Sequence, residues 1–139
     1  MKKLFVIIPL LLFITACSKE ERKMELFSPE AFAYTMENGW ELNISCQVRG
    51  YQLFEDKGKH YSKLTFVIDL KKPDGTIINN VQSGKIEQLA KEEDSDIQLN
   101  VQIKLDEKYK PGNYLAIINF RDELSGKKLK IDKEFDLSE

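Results

Sequence analysis

The sequence predicts an all-β protein, an antiparallel two-sheet sandwich of about seven strands behind an N-terminal leader. Three observations predict it. From residue 30 onward, apolar and polar residues alternate with period two. Clusters of Gly, Asn, Asp and Pro punctuate that alternation at turn-like spacing. No stretch after residue 28 carries a helical stripe, since Ile86, Leu89 and Ala90 make at most one turn.

The leader is one device. Lys2 and Lys3 form a positive start, and Leu4 to Ile14 is apolar except for Pro9. Such a run is too short for a hydrocarbon core of about 30 Å, which takes about 20 helical residues. It fits a secretory signal with a small-residue cleavage site. Ile14-Thr15-Ala16-Cys17 resembles the lipobox of bacterial lipoproteins: an aliphatic residue, two small ones, then cysteine. That resemblance implies cleavage after Ala16 and a diacylglyceryl group on the Cys17 sulfur. Palmitate-type acylation of the new amino group would add a further chain. One acyl chain holds a protein to a bilayer only marginally, whereas two or three hold it permanently. Ser18, rather than Asp, follows the cysteine; by the enterobacterial sorting rule this favours the outer membrane in a Gram-negative source. Localisation in a bacterial cell envelope, periplasmic or surface-facing, follows from the same resemblance. Residues 17–28 then read as the lipidated cysteine and a mixed-charge tether. A short helix over Lys19–Leu26 is the other option.

The strands follow in order near 30–37, 40–53, 60–72, 76–82, 96–105, 113–122 and 127–137. Leu42, Ile44, Cys46 and Val48 share one face, as do Leu64, Phe66, Ile68 and Leu70. Ile97 to Leu105 alternates without a fault, Tyr114 to Phe120 repeats the pattern, and Lys133 interrupts it in the last strand. Two turns bear on register. A three-residue Glu37-Asn38-Gly39 loop would pair Met36 with Trp40, Tyr34 with Leu42 and Phe32 with Ile44, all on one face. A two-residue Asn38-Gly39 turn would split them, so the three-residue loop with Gly39 left-handed is the expected one. Pro73-Asp74-Gly75 would pair Lys72 with Thr76 and Leu70 with Ile78, with Gly75 left-handed. Seven such strands suit a sandwich. A closed barrel would ask for eight longer ones.

Pro111-Gly112-Asn113-Tyr114, Asp122, Ser125-Gly126-Lys127 and Phe135 resemble the closing half of bacterial immunoglobulin-like domains. The resemblance implies an immunoglobulin-like sandwich over 29–139, with 1–16 removed as signal. It also implies a corner role for Tyr114, its hydroxyl bonding nearby backbone. Cys46 sits where such domains carry their first cysteine, but the partner position is Ala116, so the inter-sheet disulfide is missing. With Cys17 lipidated, Cys46 is the one remaining thiol, and its place in the alternation predicts burial.

Charge and composition narrow the function. The 139 residues carry net −2 and are 32% charged; without the first 16, 19 basic face 23 acidic side chains, net −4. With no basic run, a nucleic-acid role is excluded. One histidine, His60, at a loop edge gives no base for nucleophilic catalysis, and no phosphate loop is present. Zinc would want more His or Cys. Glu92, Glu93, Asp94, Ser95 and Asp96 lack EF-hand spacing, so no metal is expected. No cofactor is expected either. The Asn43-Ile44-Ser45 sequon reads as accidental. Tyr51, Phe54 and Tyr61 flank one loop as a candidate partner-binding group, while Trp40 has a place on the core face. The expectation is a non-enzymatic, lipid-anchored envelope module that binds a protein partner through a sheet edge or end loops. The competing expectations are a barrel carrying a small lipophilic ligand and an enzyme with a carboxylate pair.

Overall fold

The computed structural model describes residues 23–89 and 95–139. The expected signal, Cys17, Ser18 and the tether up to residue 22 lie outside these residues, as do Glu92, Glu93 and Asp94.

Nine antiparallel strands and no helix make up the described residues: β1 (Glu25–Met36), β2 (Gly39–Arg49), β3 (Leu53–Asp56), β4 (Lys59–Ser62), β5 (Leu64–Lys71), β6 (Ile77–Ile86), β7 (Ile97–Leu105), β8 (Gly112–Asp122) and β9 (Lys128–Leu137). Seven of them build the sandwich. One sheet runs β1-β2-β7, the other β6-β5-β8-β9, and β3-β4 is a separate hairpin. Two open sheets, rather than one closed on itself, rule out the barrel arrangement. The two extra strands come from segments expected to continue 40–53 and 60–72. Gly50, with φ +70°, ends β2 instead. Its missing Cβ leaves room for the Lys23 carbonyl, which would lie 2.3 Å from that carbon.

The sheet pairings put the alternating apolar residues face to face. Leu42 lies opposite Ile103, Ile44 opposite Val101 and Cys46 opposite Leu99. In the other sheet Phe66 meets Phe120, Ile68 meets Ile118 and Leu70 meets Ala116. All of these are buried, as are Tyr114, Phe135 and Leu137. At about 25 cal/mol per Å² of apolar surface, this inter-sheet layer is the main favourable contribution to folding. Phe66 and Phe120 rings sit 6.3 Å apart, and Tyr114 stacks on Phe135 at 5.5 Å. Met24 is also buried, so the folded body starts before the position 29 expected, and residues 25–28 belong to β1 rather than to a tether.

The Pro73 turn has the expected register. Lys72 N–H donates to the Thr76 carbonyl at 2.8 Å, Leu70 lies opposite Ile78, and Gly75 has φ +88°. The Asp74 carboxyl accepts the Thr76 N–H at 2.8 Å, which holds its pKa below the ordinary value. The first hairpin does not follow the expected register. Its turn is Glu37-Asn38, with Met36 opposite Gly39, Thr35 opposite Trp40 and Ala33 opposite Leu42. That one-residue difference turns Phe32, Tyr34 and Met36 to the outside. They are 46%, 58% and 47% exposed, while Ala31 and Ala33 pack against the core.

Candidate binding surfaces

The residues singled out from sequence separate into different roles. Phe54 and Tyr61 face each other across the β3-β4 hairpin and stack with ring centroids 5.4 Å apart. Tyr61 is also bridged to Leu89, which is exposed. Tyr51 does not join them as a free contact residue. Its ring packs against the core, and its hydroxyl donates to the Ser95 carbonyl at 2.6 Å. Trp40 is buried as expected, and its indole Nε1 is the one buried side-chain polar atom without a partner among the described residues.

Groups with chemical potential are dispersed or enclosed. His60 lies opposite Glu55 in the hairpin. Cys46 is a free thiol, 1% exposed, and burial pushes its pKa up to about 11. A thiol held neutral in this way is a poor nucleophile. Asp122 is buried, but its carboxylate is committed to backbone donors: Gln52 N–H at 2.8 Å, Leu124 N–H at 3.0 Å and Ser125 N–H at 3.4 Å. It fastens the β2-β3 connection to the β8-β9 turn. Asp96, from the acidic run, pairs with Arg49 at 3.6 Å. Among the described residues no three His, Cys, Asp or Glu side chains gather as a metal site. The Tyr114 hydroxyl donates to the Lys110 carbonyl at 2.7 Å, the local backbone bond expected of it. Burial raises its pKa, and the hydrogen bond to Lys110 works against that rise.

Four strands end the two sheets, and two of them, β1 and β9, lie alongside each other. β9 carries Lys128, Lys130, Asp132, Lys133, Glu134 and Asp136, which repel an added strand. β1 contains Pro29 and a register shift between Phe27 and Glu30, with Ser28 at φ +51°. The Thr35 hydroxyl at its far end donates to the Ser138 carbonyl at 3.2 Å, tying β1 to the chain after β9. The other two edges have little protection. Lys85 is the sole charge in β6, and Lys104 the sole charge in β7. A bulge interrupts β6 near Asn80, whose N–H donates to Asp69 Oδ1 at 2.7 Å. Beyond it, Gln82 to Ile86 pairs regularly with β5. Gly84 lies under the Phe66 ring, 2.8 Å from where its Cβ would be. That contact fills the gap which an edge glycine leaves.

The outer face of β1-β2-β7 is a third surface. Its central rows run Phe27-Gln47-Gln98, Glu30-Ser45-Asn100 and Phe32-Asn43-Gln102 across the three strands. The hairpin register that turned Phe32 and Tyr34 outward places the Phe32 ring beside the amides and Tyr34 one row on, opposite Glu41. The two rings meet edge to face at 5.4 Å. The signal for this surface was present in the sequence as an unbroken set of Asn, Gln and Ser between apolar positions. The expected hairpin register hides it, because that register places the aromatic strip in the core.

No protein family matches the chain, and no curated protein does. Among solved structures, the chain is similar to part of a family 123 glycoside hydrolase from Clostridium perfringens. The identity is 15%, over 77% of this chain and 22% of that one, with a TM-score of 0.45. The chain thus spans less than a quarter of that enzyme's length, and a likeness this distant bears on neither activity nor ligand.

Proposed function

We propose that the mature chain is a lipid-anchored protein of a bacterial envelope whose immunoglobulin-like sandwich binds a protein partner without catalysis. The anchor reading is supported by Ile14-Thr15-Ala16-Cys17 after an apolar run. The domain reading is supported by the three-plus-four strand arrangement and by the Tyr114 hydroxyl bond to Lys110. The observation that carries the binding role is the β6 edge. It offers unpaired backbone groups along a run whose single charge is Lys85. A partner strand added there would gain main-chain hydrogen bonds, and adjacent side-chain pockets would select its sequence.

A photo-reactive residue at position 83 of the full-length protein, irradiated in intact envelopes, tests the binding role. The expected result is a discrete protein adduct that is absent when the probe sits at position 130 on the charged β9 edge. Equal labelling from both positions, or none from position 83, would refute it. The anchor is tested separately: Cys17→Ala should move the protein out of the membrane fraction and abolish the lipid mass on its N-terminal peptide. A wild-type peptide without lipid would end that part of the reading.

A further inference from the structure

The chain enters the sandwich through a clamp. Met24 is buried, Glu25 lies opposite Arg49, and Gly50, lacking a Cβ, leaves room for the Lys23 carbonyl. The β3-β4 hairpin springs from the same place. β2 ends one residue before Gly50, and β3 begins at Leu53. The return leg leads into β5, which starts at Leu64 opposite Asp122. Both legs are pinned at the root: Gln52 N–H donates to the Asp122 carboxylate at 2.8 Å, and Ser62 N–H to the Gln88 carbonyl at 3.1 Å. The tip stands free. Lys57 and Gly58 both have positive φ, a two-residue turn that follows the strand twist, and nothing lies within 4 Å of where a Gly58 Cβ would be.

A hairpin pinned in this way is a prop at the end of the domain where the chain enters, and one row of it is apolar. Phe54 stacks on Tyr61 at 5.4 Å, and Tyr61 is bridged in turn to Leu89. Phe54 is 39% and Leu89 51% exposed. Toward the tip, Glu55 lies opposite His60 and Asp56 opposite Lys59. Glu55 and Asp56 balance Lys57 and Lys59, so the hairpin has no net preference for a charged surface. A phenylalanine and a tyrosine flanked by lysines are the side chains that settle at the boundary between headgroups and acyl chains, rings inward and charged tips in water.

Building on the proposed lipid at Cys17, we infer that the β3-β4 hairpin rests on the bilayer that holds this lipid, with the Phe54-Tyr61 row in the headgroup layer. Residues 18–23 lie between the lipid and the clamp. Fully extended, these six residues outreach a four-residue hairpin strand by only about 7 Å. The bilayer is therefore the one surface that the chain itself delivers to the hairpin. Two exposed apolar side chains would hold a free protein to a bilayer only weakly. On so short a tether they act at about millimolar effective concentration, where weak contact suffices. The lipid supplies the attachment, and the hairpin sets which way the sandwich stands on it. The hairpin shares no residue with the β6 edge, which stays open to a protein partner.

Full-length lipidated protein in phosphatidylcholine vesicles tests this. A fluorophore is placed at Lys57→Cys on the hairpin tip or at Asn38→Cys in the turn at the other end of β2, and the lipid headgroups carry a nitroxide quencher. Cys46 is 1% exposed and does not take the label. Quenching is expected at position 57 and not at position 38. Phe54→Ala should weaken the bilayer contact about fivefold, whereas Lys130→Ala on β9 should leave it unchanged. Phe54 is exposed, and an unfolding curve for each variant verifies the fold. Vesicle flotation separates the two readings. Protein that does not float removes the lipid anchor and the role of the hairpin with it. Protein that floats with position 57 unquenched, or with both positions quenched alike, overturns the role of the hairpin alone. So does quenching at 57 that Phe54→Ala leaves unchanged, since the tether by itself would then account for it. A label at 57 that is shielded in intact envelopes but not in protein-free vesicles would assign the hairpin to a protein and likewise overturn it.

Discussion

Gly39→Ala should be far more damaging than Gly75→Ala, although both glycines close hairpins with positive φ. Gly39 has φ +120°, and a Cβ there would lie 2.0 Å from the Leu105 carbonyl oxygen and 3.0 Å from the Asp106 backbone. An alanine therefore combines a backbone conformation costing about 1–3 kcal/mol with an overlap against rigid main chain. Relieving that overlap means moving the end of β7 by about 1 Å, at a further cost of about 1–3 kcal/mol. Gly75, at φ +88°, has nothing within 4 Å of its Cβ position. There an alanine faces only the left-handed backbone penalty, about 1 kcal/mol. The expected losses are about 4 and about 1 kcal/mol, or about 15–20 °C and about 5 °C in Tm for a domain of this size. The single tryptophan, Trp40, adjoins Gly39 and is buried, so its fluorescence reports the transition. Equal destabilisation by the two substitutions would refute the close approach of Gly39 to β7, and with it the Glu37-Asn38 turn register.

Three further outcomes are expected. Cys46 keeps its proton in the folded state up to about pH 11, against 9.0 for an ordinary thiol, so its contribution to stability is complete below pH 9 and declines as pH rises toward 11. Urea unfolding across that interval should show a steeper alkaline loss for wild type than for Cys46→Ala; parallel slopes would contradict the burial of the thiol. Tyr114→Phe deletes the 2.7 Å bond to the Lys110 carbonyl and should lower stability by about 1 kcal/mol in the same assay. Asp122→Ala strips three backbone donors of their acceptor and should cost about 3 kcal/mol, with faster proton exchange at the Gln52, Leu124 and Ser125 amides as the local readout.

The core was legible because its strands are central or fully alternating. Leu42 to Val48 and Ile97 to Leu105 admit one inward face, and their pairing follows from it. The Pro73-Asp74-Gly75 turn was legible because proline and glycine each restrict one backbone angle of the loop. β1 was not, since an edge strand has two plausible faces. Its larger residues, Phe32, Tyr34 and Met36, suggested the core, but the residues that pack against it are Ala31 and Ala33. Where Thr35 reaches Ser138, β1 lies close to the chain after β9, and small side chains fit that approach. The hairpin from Leu53 to Ser62 was hidden for another reason. Its four-residue strands leave too short an alternation to distinguish them from a loop. The candidate site was legible only in part, because Tyr51 and Tyr61 gain their roles from Ser95 and Leu89, contacts distant in sequence.

The burial of Met24 also sets a leash length. If the proposed lipid sits on Cys17, at most Ser18 to Lys23 separate membrane from folded body, a reach of about 20 Å when fully extended. The sandwich then has a defined near end and far end. β1 starts at Glu25, opposite Arg49, and runs toward Met36, opposite Gly39. The near end therefore carries the Arg49–Asp96 pair, and the β3-β4 hairpin with exposed Phe54 leaves β2 at that same end. The Glu37-Asn38 turn and the Lys110 loop point away from the lipid. Lengthening the leash would release this orientation without altering a contact inside the domain.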